Sequence, residues 1–204
     1  MSAPLIQSTR EGKSKGFTVV ELLAVVAIMV LMFALIVPAF HGISNGVNIT
    51  ATGEQISTTV GLARQRATTF NRNVAIRFYR QNYSDKVAVP FKSYQLWEQA
   101  DLSSSNWTAV DSEQTLGAGI IIDADVAKFS PILDLSKATD TKGHPFSAVL
   151  FTPSGSITAP FAQAFLTIHA ENAPKNGGSV AGLPANYSVV AIEPFNGRAR
   201  VFRP

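Results

Sequence analysis

One uninterrupted apolar stretch near the amino terminus constrains this 204-residue chain more than any other feature. Every residue from Leu22 to Val37 is apolar. Glu21 precedes the stretch directly and is the only formally charged side chain between Lys15 and Glu54. Because a helix rises about 1.5 Å per residue, residues 17–40 would span roughly 36 Å, enough for a hydrocarbon core about 30 Å thick. The sequence therefore predicts a membrane-spanning helix with one carboxylate near its start.

The carboxylate indicates a partner, since an acidic side chain at the centre of a membrane helix costs roughly 2.5 to 3.5 kcal/mol and somewhat less near its end. Cleavage between Gly16 and Phe17 would create an amino group that the Glu21 of a neighbouring copy could pair with, which would fix the axial register of the two. A secretory signal peptide is instead cut after its apolar stretch, between small residues. A plain single-pass anchor with a chance acidic residue is the other alternative.

The segment Gly16-Phe17-Thr18-Val19-Val20-Glu21-Leu22 resembles the processing motif of type IV pilins and pseudopilins. The resemblance implies that a prepilin peptidase cuts between Gly16 and Phe17, that Phe17 is then N-methylated, and that Glu21 sets the register of assembly. Its implied partners are the peptidase, other pilin or pseudopilin subunits, the membrane and an assembly platform in the inner membrane. Pro38, where many pilins also carry a proline, predicts a helix kink.

Three parts follow from this interpretation. Residues 1–16 are a cleaved leader whose basic side chains favour the cytoplasmic side. Residues 17–40 are the transmembrane amino-terminal half of a long helix, and residues 41–204 are one periplasmic pilin-like domain. The predicted location is the bacterial inner membrane, crossed once, with the assembled filament in the periplasm or at the cell surface.

Periodicity predicts the secondary structure of that domain. Apolar residues at three- and four-residue steps continue the helix to about residue 70 as an amphipathic segment; they are Gly53, Ile56, Val60, Ala63, Ala67 and Phe70. Seven β-branched or aromatic runs predict strands at residues 74–79, 94–98, 119–122, 148–152, 164–169, 187–193 and 198–202. Asn196-Gly197 predicts a hairpin between the last two, and residues 99–115 and 171–186 are interpreted as surface loops. The predicted fold class is α+β and pilin-like, a long helix packed on a carboxy-terminal antiparallel sheet.

Two further segments carry a second resemblance. Phe151-Thr152-Pro153-Ser154-Gly155 and the stretch from Ile192 to Val201 are similar to paired segments in the H-type minor pseudopilins of type II secretion and in related minor type IV pilins. Each is interpreted as a strand-turn-strand element. Residues 81–147 match no segment of that family.

Composition and motif spacing exclude several functions. The absence of cysteine rules out disulfides, thiol catalysis and cysteine metal sites. The leader holds three of the 17 Lys and Arg residues and one of the 14 Asp and Glu residues, so the remaining chain is nearly neutral and its charge indicates no polyanion partner. Asp123-Ala124-Asp125 is interpreted as a solvated turn, because a calcium site needs six or more oxygen ligands. His41, His144 and His169 lack a second ligand at metal spacing. We predict no catalytic residue, metal or cofactor, and no enzymatic activity.

Arg198, Arg200 and Arg203 form a candidate DNA-binding cluster. In a strand the first two point to one face about 6.6 Å apart, close to the spacing of successive phosphates. Some of the minor pilins that the chain resembles take part in DNA uptake, and the Gly-Arg-x-Arg ending is similar to theirs. The competing interpretation is a charged terminal strand that protects a sheet edge from unwanted pairing.

The sequence thus predicts a prepilin-like minor pilin or pseudopilin that is assembled into a short type II secretion pseudopilus or a type IV pilus tip, with a structural role in protein secretion. The alternative is a minor type IV pilin that binds DNA for uptake through its carboxy-terminal arginines. A third hypothesis is an enzyme anchored by a pilin-type helix.

Overall fold

The computed structural model describes residues 16–134, 137–175 and 182–203, apart from the side chains of residues 35–45. Helix α1 runs over Val19–Phe70, and the chain forms two compact units, Met1–Gly42 and Ile43–Pro204. The strands among the described residues are β1 Val74–Arg80, β2 Phe91–Gln99, β3 Trp107–Ala109, β4 Gln114–Thr115, β5 Ile120–Ile122, β6 Lys137–Thr139, β7 Pro145–Phe151, β8 Phe165–Ala170, β9 Tyr187–Ile192 and β10 Ala199–Phe202. These elements give an α+β chain, as predicted.

Within the described part of the chain, no helix combines the length and the apolarity that a membrane span needs. The predicted span over residues 17–40 and the predicted kink at Pro38 both include residues whose side chains lie outside the described ones.

The second half of α1 buries the predicted stripe against the sheet. Ile56, Val60, Ala63 and Ala67 are at most 1 % exposed and belong to the same apolar core as the inner faces of the strands. The stripe ends one turn earlier than predicted. Phe70, the final residue of α1, is 51 % exposed.

The sheet is antiparallel throughout and has the strand order β10-β9-β8-β5-β2-β1-β7-β6, with β3 and β4 paired to β2. Alternate residues of β1 face the core on one side, as in Ile76 and Phe78. Arg77 and Tyr79 occupy the alternate positions on the opposite face. A fully buried side chain of the size of Ile76 or Phe78 contributes about 1.5 to 3 kcal/mol.

The structure confirms all seven predicted strands, with shifts of no more than three residues at their ends. The loop prediction for residues 99–115 is wrong in part, because β3 and β4 lie inside it and pair with β2. Strand β6 was also not predicted. These three strands are two or three residues long, and their side chains are partly or fully exposed.

The predicted terminal hairpin is confirmed, and its turn packs on a second turn. Strand β9 pairs with β10, and the N–H of Gly197 donates to the carbonyl oxygen of Glu193 at 2.8 Å. Only the glycine of the Asn-Gly pair has a positive φ, at 62°. The N–H of Ile157 donates to the carbonyl oxygen of Pro194 at 2.8 Å. The hairpin turn therefore lies against the turn that follows β7.

Candidate functional site

The predicted cleavage site precedes α1. Gly16 and Phe17 belong to no helix or strand, and the Phe17 side chain is 78 % exposed. A Cβ built at Gly16 would have no atom of the described chain within 4 Å. This environment would leave the peptide bond between the two residues open to a protease. Leader residues 1–15 lie outside the described residues, and cleavage and methylation stay predictions.

Glu21 has a local role that the sequence interpretation missed. The Thr18 hydroxyl oxygen accepts a hydrogen bond from the N–H of Glu21 at 3.2 Å, so Thr18 caps the helix. Glu21 occupies the third helical position of this Thr-x-x-Glu pattern, where a negative charge interacts favourably with the helix dipole by about 0.3 to 1 kcal/mol. The spacing of the two residues was the available signal. Capping uses the backbone of Glu21, and its exposed side chain stays available to a neighbouring molecule.

The helix that follows presents apolar side chains on every side. All the side chains of residues 19–34 are exposed, including Leu31 at 67 % and Phe33 at 65 %. A contiguous apolar surface of this extent marks a region that lipid or other protein covers.

The carboxy-terminal arginines divide between two faces. Arg198 and Arg200 are exposed and line a groove of about 350 Å³. Arg203 belongs to the opposite side, where it donates to the Thr50 hydroxyl at 2.6 Å and to the side-chain oxygen of Asn186 at 2.9 Å. Arg203 therefore does not line the groove beside Arg198 and Arg200, and the DNA-binding role of the arginines stays a prediction. Side chains alternate between the two faces of a strand, so positions 198 and 200 share one face and position 203 lies on the other.

The groove beside Arg198 and Arg200 is apolar and open. Phe161 and Phe202 line it and are 74 % and 53 % exposed. Glu193 also lines it and accepts a hydrogen bond from the Asn196 amide at 2.9 Å. Neither arginine forms an ion pair with a carboxylate in the part of the chain that the structure describes. The result is a patch in which two cationic groups lie among exposed aromatic rings.

Two solved structures resemble this chain. The minor pseudopilin EpsH from the type 2 secretion system of Vibrio cholerae is 14 % identical and has a TM-score of 0.47, with 77 % of this chain and 98 % of that chain covered. The type IV minor pilin FimU of Pseudomonas aeruginosa is 12 % identical and has a TM-score of 0.41, with 76 % and 96 % covered. No protein-family model matches the chain, and no curated protein sequence does.

Asp123 lies in a buried ion-pair network, which overturns its interpretation as part of a solvated turn. Its side chain is 1 % exposed and accepts a hydrogen bond from the Nε2 atom of His169 at 2.8 Å. Burial by itself raises the pKa of Asp123, but the hydrogen bonds from His169 and from the backbone of Asp125, together with Lys175, hold that pKa below its ordinary value. The pairing of β5 with β8 brings together residues that are far apart in sequence. Sequence spacing gave no signal for this contact.

The same pair offers no catalytic or metal chemistry. His169 is 0 % exposed, and its Nδ1 atom lies 2.9 Å from the carbonyl oxygen of Ala170. Both ring nitrogens therefore have partners, and no substrate can reach them. Among the described residues, no group of three potential metal ligands comes together.

Proposed function

We propose that this chain is the precursor of a minor pilin or pseudopilin. A prepilin peptidase removes residues 1–16 and methylates the amino group of Phe17. The apolar helix holds the protein in the inner membrane until the assembly platform moves it into a short filament or a filament tip. The second unit lies in the periplasm and has a structural role in the export of proteins.

The observation that carries this proposal is the exposed apolar surface of residues 19–34, which follows directly after an accessible Gly16-Phe17 bond. Lipid can cover such a surface before assembly, and the helices of sister subunits can cover it afterwards. The second unit has its own core and does not need the first half of the helix to bury its apolar residues. A second unit with its own core, preceded by an exposed apolar helix, is what we expect of a folded domain whose helix packs against other subunits.

The experiment that tests the proposal replaces Glu21 with alanine in the source bacterium. We expect Glu21→Ala to be processed normally and to fail to enter filaments, because the amino group of the neighbouring subunit then has no carboxylate to pair with. Glu54→Ala is the matched control, since Glu54 is also an exposed acidic residue of α1. The measurement is the fraction of the chain that is crosslinked to other subunits in sheared filaments. Equal incorporation of the two variants would contradict the register role of Glu21.

Binding of single-stranded DNA is the second candidate function, and the Arg198-Arg200 groove favours it. Guanidinium groups can neutralise phosphates, and exposed aromatic rings can stack on bases. Exposed Phe161 and Phe202 beside the two arginines offer both interactions within one groove. A strand that only protected a sheet edge would need the charges but not the exposed rings.

Fluorescence anisotropy with labelled single-stranded DNA tests this candidate on the full chain in detergent. Each arginine-phosphate contact contributes about 0.7 to the salt slope of log K, so Arg198→Ala and Arg200→Ala should each lower the slope by about that amount. Arg203→Ala is the control, because its side chain lies on the other face and is hydrogen-bonded there. An equal loss of binding in Arg203→Ala would refute the assignment to this groove.

A further inference from the structure

The sheet face opposite α1 carries a cluster of aromatic and charged side chains that the proposed function does not use. Arg77 pairs in register with Gln95, and Tyr79 pairs with Ser93, so that the cluster spans β1 and β2. Phe146 of the neighbouring β7 lies opposite Tyr79. We call the space that these strands and the adjacent loops enclose the outer-face cavity.

The walls of the outer-face cavity are aromatic and held in place. The Tyr83 ring stacks on His144 with their centroids 3.7 Å apart and an interplanar angle of 6°. Tyr79 meets Tyr83 edge-on at 5.7 Å. The Arg77 guanidinium lies 3.9 Å from the centroid of Trp97, which fixes that ring. Packing on both sides keeps these rings in one orientation before any ligand arrives.

The cavity has the size of one small ring. Its volume is about 160 Å³, and an apolar cavity of about 150 Å³ holds one benzene molecule. Tyr79, Tyr83 and Trp97 supply rings to its lining, and Glu113 and Asp140 supply carboxylates. A peptide side chain or a single sugar ring fits this volume, whereas a folded segment does not.

Buried polar groups in this cavity have bonding capacity left over. Tyr79 is 2 % exposed and lies beside the Arg77 guanidinium, which can donate to the Tyr79 hydroxyl oxygen but cannot accept its proton. Burial, partly opposed by Arg77, raises the pKa of Tyr79, so the hydroxyl stays a donor. The Asp140 side chain is 7 % exposed, and its Oδ1 atom accepts the N–H of His144 at 2.8 Å. Its Oδ2 atom lies 3.6 Å from His144 Nδ1, beyond a hydrogen bond.

Donors and acceptors therefore coexist in one small space, and this decides the class of ligand. The Glu113 carboxylate already accepts from the hydroxyls of Tyr83 and Ser93 and has lone pairs left. An ammonium group would donate to Glu113 and Asp140 but could accept nothing from Tyr79. A sulfate or phosphate would accept from Tyr79 and Lys142 but would face the two carboxylates of Glu113 and Asp140. A hydroxyl both donates and accepts, so a ring that carries several hydroxyls satisfies both sets of groups at once.

We propose that the outer-face cavity binds one pyranose ring of a carbohydrate, either as a single sugar or as one unit of a polysaccharide. The C–H bonds of the ring pack on the aromatic walls, whose faces carry partial negative charge. Its hydroxyls donate to Asp140 and Glu113 and accept from Tyr79. The site belongs to the second unit alone, and it does not depend on cleavage or assembly of the helix.

Ligand titration of the full chain tests this assignment. The protein is kept in a zwitterionic detergent without a sugar headgroup, because a maltoside would compete for the cavity. Methyl glucoside, methyl galactoside, N-acetylglucosamine and their linear oligosaccharides are added, and binding is followed by tryptophan fluorescence and saturation-transfer NMR. We expect millimolar affinity for a single ring, as for other ligands of this size. Tighter binding of an oligosaccharide would assign the ring to a polysaccharide, and equal binding would assign a single sugar.

Matched variants locate the ligand. Asp140→Asn and Tyr79→Phe should each weaken binding about tenfold, the effect of one charge-assisted or buried hydrogen bond. Tyr187→Phe, a change at another buried tyrosine outside the cavity, should leave binding unchanged. Tetramethylammonium and sulfate serve as competitors of the other two classes. The assignment is overturned if no sugar of the panel binds the unmodified chain, if tetramethylammonium or sulfate binds at the cavity more tightly than every sugar, or if Tyr187→Phe weakens binding as much as Tyr79→Phe.

Discussion

The contact between the hairpin turn and the turn after β7 gives a sharp stability prediction for Gly197→Ala. A Cβ at this position would lie 2.2 Å from the carbonyl oxygen of Gly155 and 3.3 Å from the ring of Phe151. The first distance is far below any tolerated contact, and the second partner is a buried ring that cannot turn away. The two turns would have to separate by about 1 Å to reach van der Waals distance.

The cost of this substitution has two parts. A residue with a side chain at a φ of 62° costs about 1 to 2 kcal/mol. Separation of the turns strains or breaks the hydrogen bond from Ile157 to Pro194, at about 1 to 3 kcal/mol with the overpacking included. We therefore expect Gly197→Ala to lower the free energy of unfolding by about 2 to 5 kcal/mol.

Gly119→Ala separates the steric term from the backbone term. Gly119 has a φ of 70°, and a Cβ there would meet nothing within 4 Å. Its substitution should cost only the backbone term, about 1 to 2 kcal/mol. The assay is urea unfolding of the full chain in detergent, followed by tryptophan fluorescence and compared at equal m-values. If Gly197→Ala is no more costly than Gly119→Ala, the close packing of the two turns is wrong.

The core and the buried ion pair supply two further predictions. Ile56→Ala should destabilise the chain by about 2 to 5 kcal/mol because it leaves a cavity under the sheet, whereas Leu62→Ala, at a side chain that is 43 % exposed, should cost under about 1 kcal/mol in the same unfolding assay; similar losses would show that α1 does not pack as described. The pKa of Asp123 is lower in the folded than in the unfolded chain, so its contribution to stability is present above about pH 5, begins to fall near the unfolded value of about 3.9, and is lost as the pH falls through the lower folded value. Urea midpoints measured between about pH 6 and pH 3 should therefore fall less steeply for Asp123→Asn than for the unmodified chain, and parallel curves would contradict the pairing with His169.

Local sequence patterns were sufficient for the elements that make the core. The helical stripe through Ile56 and Val60 buries an apolar face, and so do the β-branched runs of the long strands. The apolar residues of such faces recur in the sequence at the spacing of a helix or a strand, so they can be recognised there. Strands β3, β4 and β6 have no such face. They pair with β2 and β7, and their few residues carry no period.

The candidate sites were less predictable, because they depend on contacts between distant elements. The Asp123-His169 pair exists because β5 lies beside β8, and the outer-face cavity exists because the loops after β1, β3 and β6 converge on one sheet face. In contrast, the separation of Arg203 from Arg198 follows from strand alternation, and the capping role of Thr18 follows from its spacing to Glu21. Those two features were accessible from the sequence.

Mass spectrometry of the amino terminus, after expression of the full chain with a prepilin peptidase, tests the central claim most directly. We predict a terminal peptide that begins with N-methylated Phe17, and we predict that Gly16→Leu blocks its formation while Gly61→Leu, at an exposed helical glycine with open space around it, does not. An intact leader, or a new terminus beyond Phe40, would contradict the assignment to the pilin class.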